Sequence, residues 1–212
     1  MKLQKLFFPF GMIGTLAFLL DDCLGTILWK GYNPVTSYFS QLIADGAPNL
    51  PLTRTLFYFY EICLVLFLAS MLIQSFQTGA GLTRTAYAGL FLISVLSLFG
   101  YGLFPMTMDF ILDPKNYLHA AVTVVLFAAT VCLLFLLALG YRRQERWRKA
   151  ARITLWSAVL FLLFNLLHFL VILAGQHELG LIERLSIYTF QTYFFLLSWL
   201  HVNRFPQKNR YR

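Results

Sequence analysis

The sequence predicts an all-α integral membrane protein: a bundle of six transmembrane helices, both termini cytoplasmic, with a short interfacial helix in the first outer loop. Three observations carry this. First, only 12% of the 212 residues are charged and 59% are hydrophobic, against roughly 25% charged in a soluble domain. Most of the surface must therefore face lipid. Second, the apolar residues fall into six runs of about 20, each long enough to cross a ~30 Å hydrocarbon core as a helix. An open sheet is excluded, because its edges would leave backbone groups unpaired in lipid. Third, the Lys and Arg residues alternate between loops. With the N-terminus inside, 13 lie on the cytoplasmic side and 4 on the outer side, which is the asymmetry that orients membrane proteins. The same segregation accounts for the net charge of +8 without a nucleic-acid partner, and no nucleic-acid motif accompanies it.

The whole chain, 1–212, reads as one polytopic domain of the cell membrane. Span one covers about 8–29. Lys2 and Lys5 precede it as in a secretory signal, but the apolar run is too long and lacks a small-residue cleavage site, so the helix is expected to be retained. Span two covers about 54–76, after the turn-rich stretch Ala47–Pro51, and a Gly-rich turn follows. Span three, about 85–104, ends at Pro105. Residues 105–116 form a second outer loop. Span four, about 117–140, ends at Gly140. The next segment, YRRQERWRKAAR at 141–152, is strongly basic and is expected to set topology and touch anionic lipids. Span five covers about 153–174 and span six about 182–203, before a basic tail. Cys23, Cys63 and Cys132 all fall inside spans, where they read as small packing residues with no disulfide or metal-ligand spacing.

Residues 30–52, KGYNPVTSYFSQLIADGAPNLPL, are the longest stretch that is neither a span nor a charged tail. Val35, Phe39, Leu42 and Ile43 have the spacing of one helix face, and Thr36 or Ser37 would cap it. A short helix in the headgroup layer is expected, with Trp29 and Tyr32 as interfacial anchors. Asp45-Gly46-Ala47-Pro48 would end it by a turn.

Ionisable groups inside spans cost a few kcal/mol on insertion scales and mark function or packing pairs. Here they are Asp21, Asp22, Glu61, His119, His168, Glu183, Arg184 and His201. Asp22 lies seven residues before Trp29, roughly 10 Å below the outer surface at 1.5 Å per residue. Glu61 sits at a similar depth and His168 roughly 9 Å down. Apart from His201, the whole set occupies the outer half and comes from five helices. Asp21 and Asp22 are about 100° apart on a helix, so one of them is expected to face the cavity. His177 reads as a solvated loop residue. Two interpretations remain open: a lipid-facing cavity covered by residues 30–52, or internal salt bridges such as Asp22 or Glu61 with Arg184 that fix helix packing.

If the cavity is real, its candidate catalytic residues are Ser40, His119, His168, Asp22 and Glu61, with Tyr32, Ser37, Asp109 and Arg184 binding substrate. Acyl transfer or hydrolysis would use Ser40 or Ser37 as nucleophile, a histidine as base and a carboxylate to orient it. No GxSxG supports it. A metal site would draw on His119, His168 and carboxylates, but no HExxH or HxxxH spacing is present, and no metal or cofactor is expected. Arg184 could instead hold an anionic headgroup without chemistry. The partners expected are membrane lipids, and no protein partner is indicated. A permease would need a polar path to the cytoplasm, for which the inner halves offer little. A structural or regulatory subunit would show the cluster fully paired and closed.

The run GYNPVTSYFSQLIADGAPN, followed by FP at 104–105, Asp109, a span opening with YLHA at 117–120 and GLIER at 180–184, resembles the bacterial and archaeal membrane family called domain of unknown function 998. The resemblance covers nearly the whole chain in order. Tyr32, Pro34, Ser40, Gly46, Pro105, Asp109, His119 and Arg184 are the matching positions. The family is similar in layout to the eukaryotic Frag/DRAM/Sfk membrane proteins, which also have six spans and a Ser-containing first outer loop. That group is tied to remodelling of lipid anchors and to phospholipid distribution, so the resemblance implies lipid handling at the outer leaflet. It carries over no catalytic role.

Overall fold

The computed structural model describes residues 3–78, 81–108, 114–175 and 179–204. Asp109 and His177 lie outside the described residues. Six long α-helices appear: α1 (Phe10–Leu28), α2 (Leu50–Thr78), α3 (Gly81–Leu103), α4 (Pro114–Arg142), α5 (Arg148–Leu173) and α6 (Leu179–Arg204). Each packs on its neighbour in sequence, and α1 meets α6 to close the ring. Five segments, containing α1 to α5, are long and apolar enough to cross a membrane, so this is a multi-pass membrane protein. The sixth helix is long enough but less apolar, because it carries Glu183, Arg184, Gln191, Ser198 and His201. Those side chains are not spread around it. Arg184, Ser186, Gln191, Ser198 and His201 are all buried in the bundle.

The helices α2 to α6 begin three to five residues before the corresponding apolar runs. Helix pairing of the backbone continues past the hydrocarbon boundary, which the apolar pattern alone does not mark. The expected helix in the first loop is a single 3-10 turn, Phe39–Ile43, whose N-cap residue is Tyr38, with no side-chain capping hydrogen bond. Neither Thr36 nor Ser37 caps it. Phe39 and Leu42 are buried, with Phe39 against Phe18 of α1 at 4.5 Å between ring centroids. Gly46, at φ +94°, makes the turn that follows, in a backbone region where only glycine is unstrained.

Many of the largest fully buried side chains lie toward the end that carries the 141–147 connection. Phe67, Leu68 and Met71 of α2, Tyr87 of α3, Leu134 and Tyr141 of α4, and Tyr193, Phe194 and Leu197 of α6 are fully buried there. Tyr87 and Tyr141 share a hydrogen bond, and Thr154 of α5 donates to the Tyr193 hydroxyl at 3.2 Å. The outer surface of the bundle is apolar and open. Trp156, Leu163, Phe169 and Leu173 of α5 are all exposed, as a lipid-facing helix requires. Of the cysteines only Cys63 is buried; Cys23 and Cys132 are exposed, so the expectation of buried packing residues holds for one of three.

Candidate functional site

Apart from His201, which stacks on Trp147 at the other end, the intramembrane ionisable residues gather at the end of the bundle that carries residues 29–49. They form two groups of different character.

In the first group, Arg184 of α6 is buried and every N–H it has finds an acceptor. Its Nε lies 3.1 Å from both carboxylate oxygens of Asp22, and Nη2 donates to Oδ1 at 2.9 Å. Nη2 also donates to the Tyr32 hydroxyl at 2.6 Å, and Nη1 donates to the carbonyls of Pro34 and Ser37, each at 2.8 Å. The Tyr32 hydroxyl in turn donates to the Tyr38 carbonyl at 2.7 Å, and Tyr188 donates to Asp22 Oδ2. Beside this, Glu183 Oε2 accepts the Phe39 amide at 2.5 Å, and Leu181 N–H donates to the Val35 carbonyl at 2.9 Å. Gly180 lets the two backbones meet: a Cβ there would stand 2.1 Å from the Ser37 carbonyl oxygen. The GLIER segment at the start of α6 is thus a clamp on residues 32–39. Burial pushes the hydroxyls of Tyr32 and Tyr38 up to about 12, so both remain donors at neutral pH. The negative charge of Glu183 adds to the shift at both, while Arg184 opposes it at Tyr32.

The second group joins α2, α3 and α4. Ser97 donates to Glu61 Oε1 at 2.9 Å. Glu61 is 3% exposed, and its Oε2 has no hydrogen-bond partner among the described residues. Tyr101, one turn beyond Ser97, places its hydroxyl within electrostatic reach of Glu61 and Glu183 and its ring 5.2 Å from that of His119. His119 Nδ1 lies 2.9 Å from the Phe104 carbonyl. A carbonyl only accepts, so Nδ1 carries a proton, and in the neutral ring Nε2 then keeps its lone pair, the tautomer of a base. Ser40 donates to Met106 Sδ at 3.0 Å and not to a histidine. Phe104 and Met106 are two residues apart, so Ser40 and His119 are held by the same short stretch. That stretch is tied to the first loop by the Asp45 amide, which donates to the Met106 carbonyl at 2.8 Å. His168 stacks on Tyr38 at 5.7 Å, and its Nε2 is buried without a partner.

Asp21 and Asp22 are both buried. Helix α1 packs between α2 and α6, so positions 100° apart both meet a neighbour. Asp22 meets Arg184, while neither oxygen of Asp21 has a hydrogen-bond partner among the described residues. Among the described residues, no three His, Cys, Asp or Glu side chains are close enough to hold a metal ion. Of the sequence candidates, Asp22, Tyr32, Ser37 and Arg184 meet in the clamp, Glu61 and His119 meet through Tyr101, and Ser40 lies between the two groups. Sequence reasoning passed over Ser97, Tyr101, Tyr188 and Gly180. No single-sequence signal marks a Ser or Tyr inside an aromatic-rich span; the GLIER glycine was visible only as part of a motif.

A family model described as "Protein of unknown function (DUF998)" matches residues 12–200. No curated protein and no solved structure matches the chain.

Proposed function

The chain belongs to the DUF998 family, and from that premise we propose that it binds or modifies a lipid or lipid-anchored substrate in the outer leaflet, beneath residues 29–49. In this reading α6 is a sixth span, both termini are cytoplasmic and the first loop is outside. The Lys and Arg asymmetry supports that orientation, and the inward-facing polar side chains of α6 support its place in the membrane bundle. The observation that carries the proposal is the pair of unpartnered buried carboxylates, Asp21 and Glu61, in the half of the bundle that also holds His119. A buried acceptor with no donor costs on the order of 1–3 kcal/mol, and a bundle that keeps two of them supports a ligand or proton to be received.

The roles follow from what each group has left to give. Arg184 has no free N–H, so it holds the cover rather than the substrate. His119 offers Nε2 as base, Glu61 offers Oε2 to a donor, and Tyr32 and Ser37 hold the rim through the clamp. In an acyl transfer, Ser40 Oγ would turn from Met106, attack an ester carbonyl and give its proton to His119, which returns it to the departing alcohol. The other end of the bundle, filled by Phe67, Phe194, Tyr87 and Tyr141, favours a one-sided site over a transport path.

The test is native mass spectrometry of the protein extracted gently with its lipids, for wild type and for the pair Ser40→Ala and His119→Ala. A specific lipid or acyl adduct in wild type, lost in the folded variants, is the expected result. Identical spectra for all three would overturn the reading.

A further inference from the structure

The basic end of the bundle carries two open grooves on the lipid-facing side, one on each flank of α5. The first, of about 800 Å³, lies between α4 and α5, with Phe135, Ala138, Leu139 and Leu155 as its apolar wall and Arg142, Arg148 and Arg152 at its rim. The second, of about 730 Å³, follows α5 and α6 from Lys149 and Arg152 past Trp156, Leu160 and Phe164 to Tyr188. Arg152 lines both.

From Lys149 to Phe164 the second groove runs roughly 22 Å at 1.5 Å per residue, longer than the ~15 Å of hydrocarbon in one leaflet. Its length and apolar wall therefore fit an acyl chain. The rims fit the other end of the same molecule. Arg142, Arg148, Lys149 and Arg152 are exposed, and among the described residues the one ion pair they make is Arg148 with Glu145, at 3.6 Å between largely exposed side chains. Such a solvated pair holds little, so the cationic rim is left for a ligand.

We propose that these grooves form a binding site for one anionic phospholipid of the leaflet at the basic end. Its phosphate sits at Arg152, flanked by Arg148 and by Arg142 or Lys149, and one acyl chain enters each groove. A zwitterionic lipid of the same chain length fits the grooves but brings a trimethylammonium group to a rim of four cations, so the site selects for net negative charge. This site is at the opposite end from the Glu61–His119 group and stands independently of any chemistry there.

The experiment uses the full chain in bilayers with brominated acyl chains, which quench nearby tryptophan fluorescence. Trp156 lines the second groove, and a Trp156→Phe variant identifies its contribution. Brominated phosphatidylglycerol, titrated into an unbrominated phosphatidylcholine bilayer, should quench Trp156 at about tenfold lower mole fraction than brominated phosphatidylcholine does, given the attraction of several basic residues for an anionic lipid. An R148Q/R152Q variant should lose that preference, and R148K/R152K should keep most of it. Both positions are exposed, and circular dichroism confirms the helical content of each variant. Equal quenching by the two lipids in wild type would overturn the site. So would a preference that survives R148Q/R152Q, which would indicate generic attraction to the whole basic surface.

Discussion

The two groups at the loop-bearing end use the same residue types and reach opposite states. In the clamp, Asp22 and Arg184 are a buried ion pair whose remaining Arg184 N–H groups are taken by Tyr32 and by two loop carbonyls. In the other group, Glu61 has one oxygen bonded to Ser97 and one with no hydrogen-bond partner among the described residues. The Arg184 donors in the clamp are all taken; its bonds tie α1 and residues 32–39 to α6. The Glu61–Tyr101–His119 group is the reverse, buried but incomplete. Burial and charge alone therefore do not distinguish structure from site. The count of unmet hydrogen bonds does, and that contrast can be broken from either side.

The largest effect on stability is expected from Arg184→Ala. It leaves Asp22 buried without a counter-charge and strips donors from the Pro34 and Ser37 carbonyls. Removing one partner of a buried pair costs about 3–5 kcal/mol, and thermal unfolding in detergent should show a large drop in midpoint or loss of folded protein. If Arg184→Ala unfolds like wild type, the clamp is not what holds the loop. Next is Gly180→Ala, where the added methyl would collide with the Ser37 carbonyl. Overpacking of this kind costs about 1–3 kcal/mol, and the strain falls on residues 34–37. Limited proteolysis should cut that segment faster than in wild type while the helices stay intact.

Much of the clamp was legible before the structure. Asp22 with Arg184 is one of the pairings that a membrane-buried acid and base suggest, and Tyr32, Ser37 and GLIER were all visible as motif residues. The helices were legible because lipid-facing runs are long and unbroken, and the main difference is that α2 to α6 start three to five residues earlier than their apolar runs. What could not be read is what tertiary contact decides. The 3-10 turn is set by Phe39 packing on Phe18 and by its amide meeting Glu183, 144 residues away in sequence, not by a local Thr36 or Ser37 cap. Ser40 bonds to Met106 because the two loops are zipped together at Asp45 and Thr107, a pairing with no local signal. Both aspartates are buried because α1 has a neighbour on two sides, which helical periodicity does not reveal.

A smaller effect is expected from Tyr32→Phe. The hydroxyl links Arg184 to the Tyr38 carbonyl, and its loss should cost about 1–2 kcal/mol, less than Arg184→Ala because the ion pair survives. The pH dependence has a definite sign. Tyr32 is raised from 10.0 to about 12, so the folded state favours the protonated phenol. The stability it contributes is fully present below pH 10 and is lost as pH rises through about 12. Unfolding midpoints of wild type and Tyr32→Phe should therefore converge as pH rises through that window. A constant gap across it would mean that the phenol proton is not what joins the clamp.

The smallest effect on stability, and the sharpest test of the contrast, is expected from Glu61→Gln. The amide can keep its carbonyl oxygen toward Ser97 and removes the possibility of an unpaired negative charge in the bundle. Its NH₂ takes the position now held by the unpartnered Oε2. The stability change should stay within about 1 kcal/mol of wild type, in either direction, while Asp22→Asn, which removes the counter-charge of Arg184, should cost several times more. Thermal unfolding of the two variants side by side reads this directly. A Glu61→Gln loss as large as that of Asp22→Asn would mean that Oε2 is engaged in holding the fold, and the group around His119 would then be a second clamp. A near-neutral Glu61→Gln that also loses the retained lipid would place its carboxylate where the difference between the two groups puts it, in contact with the ligand and not with the fold.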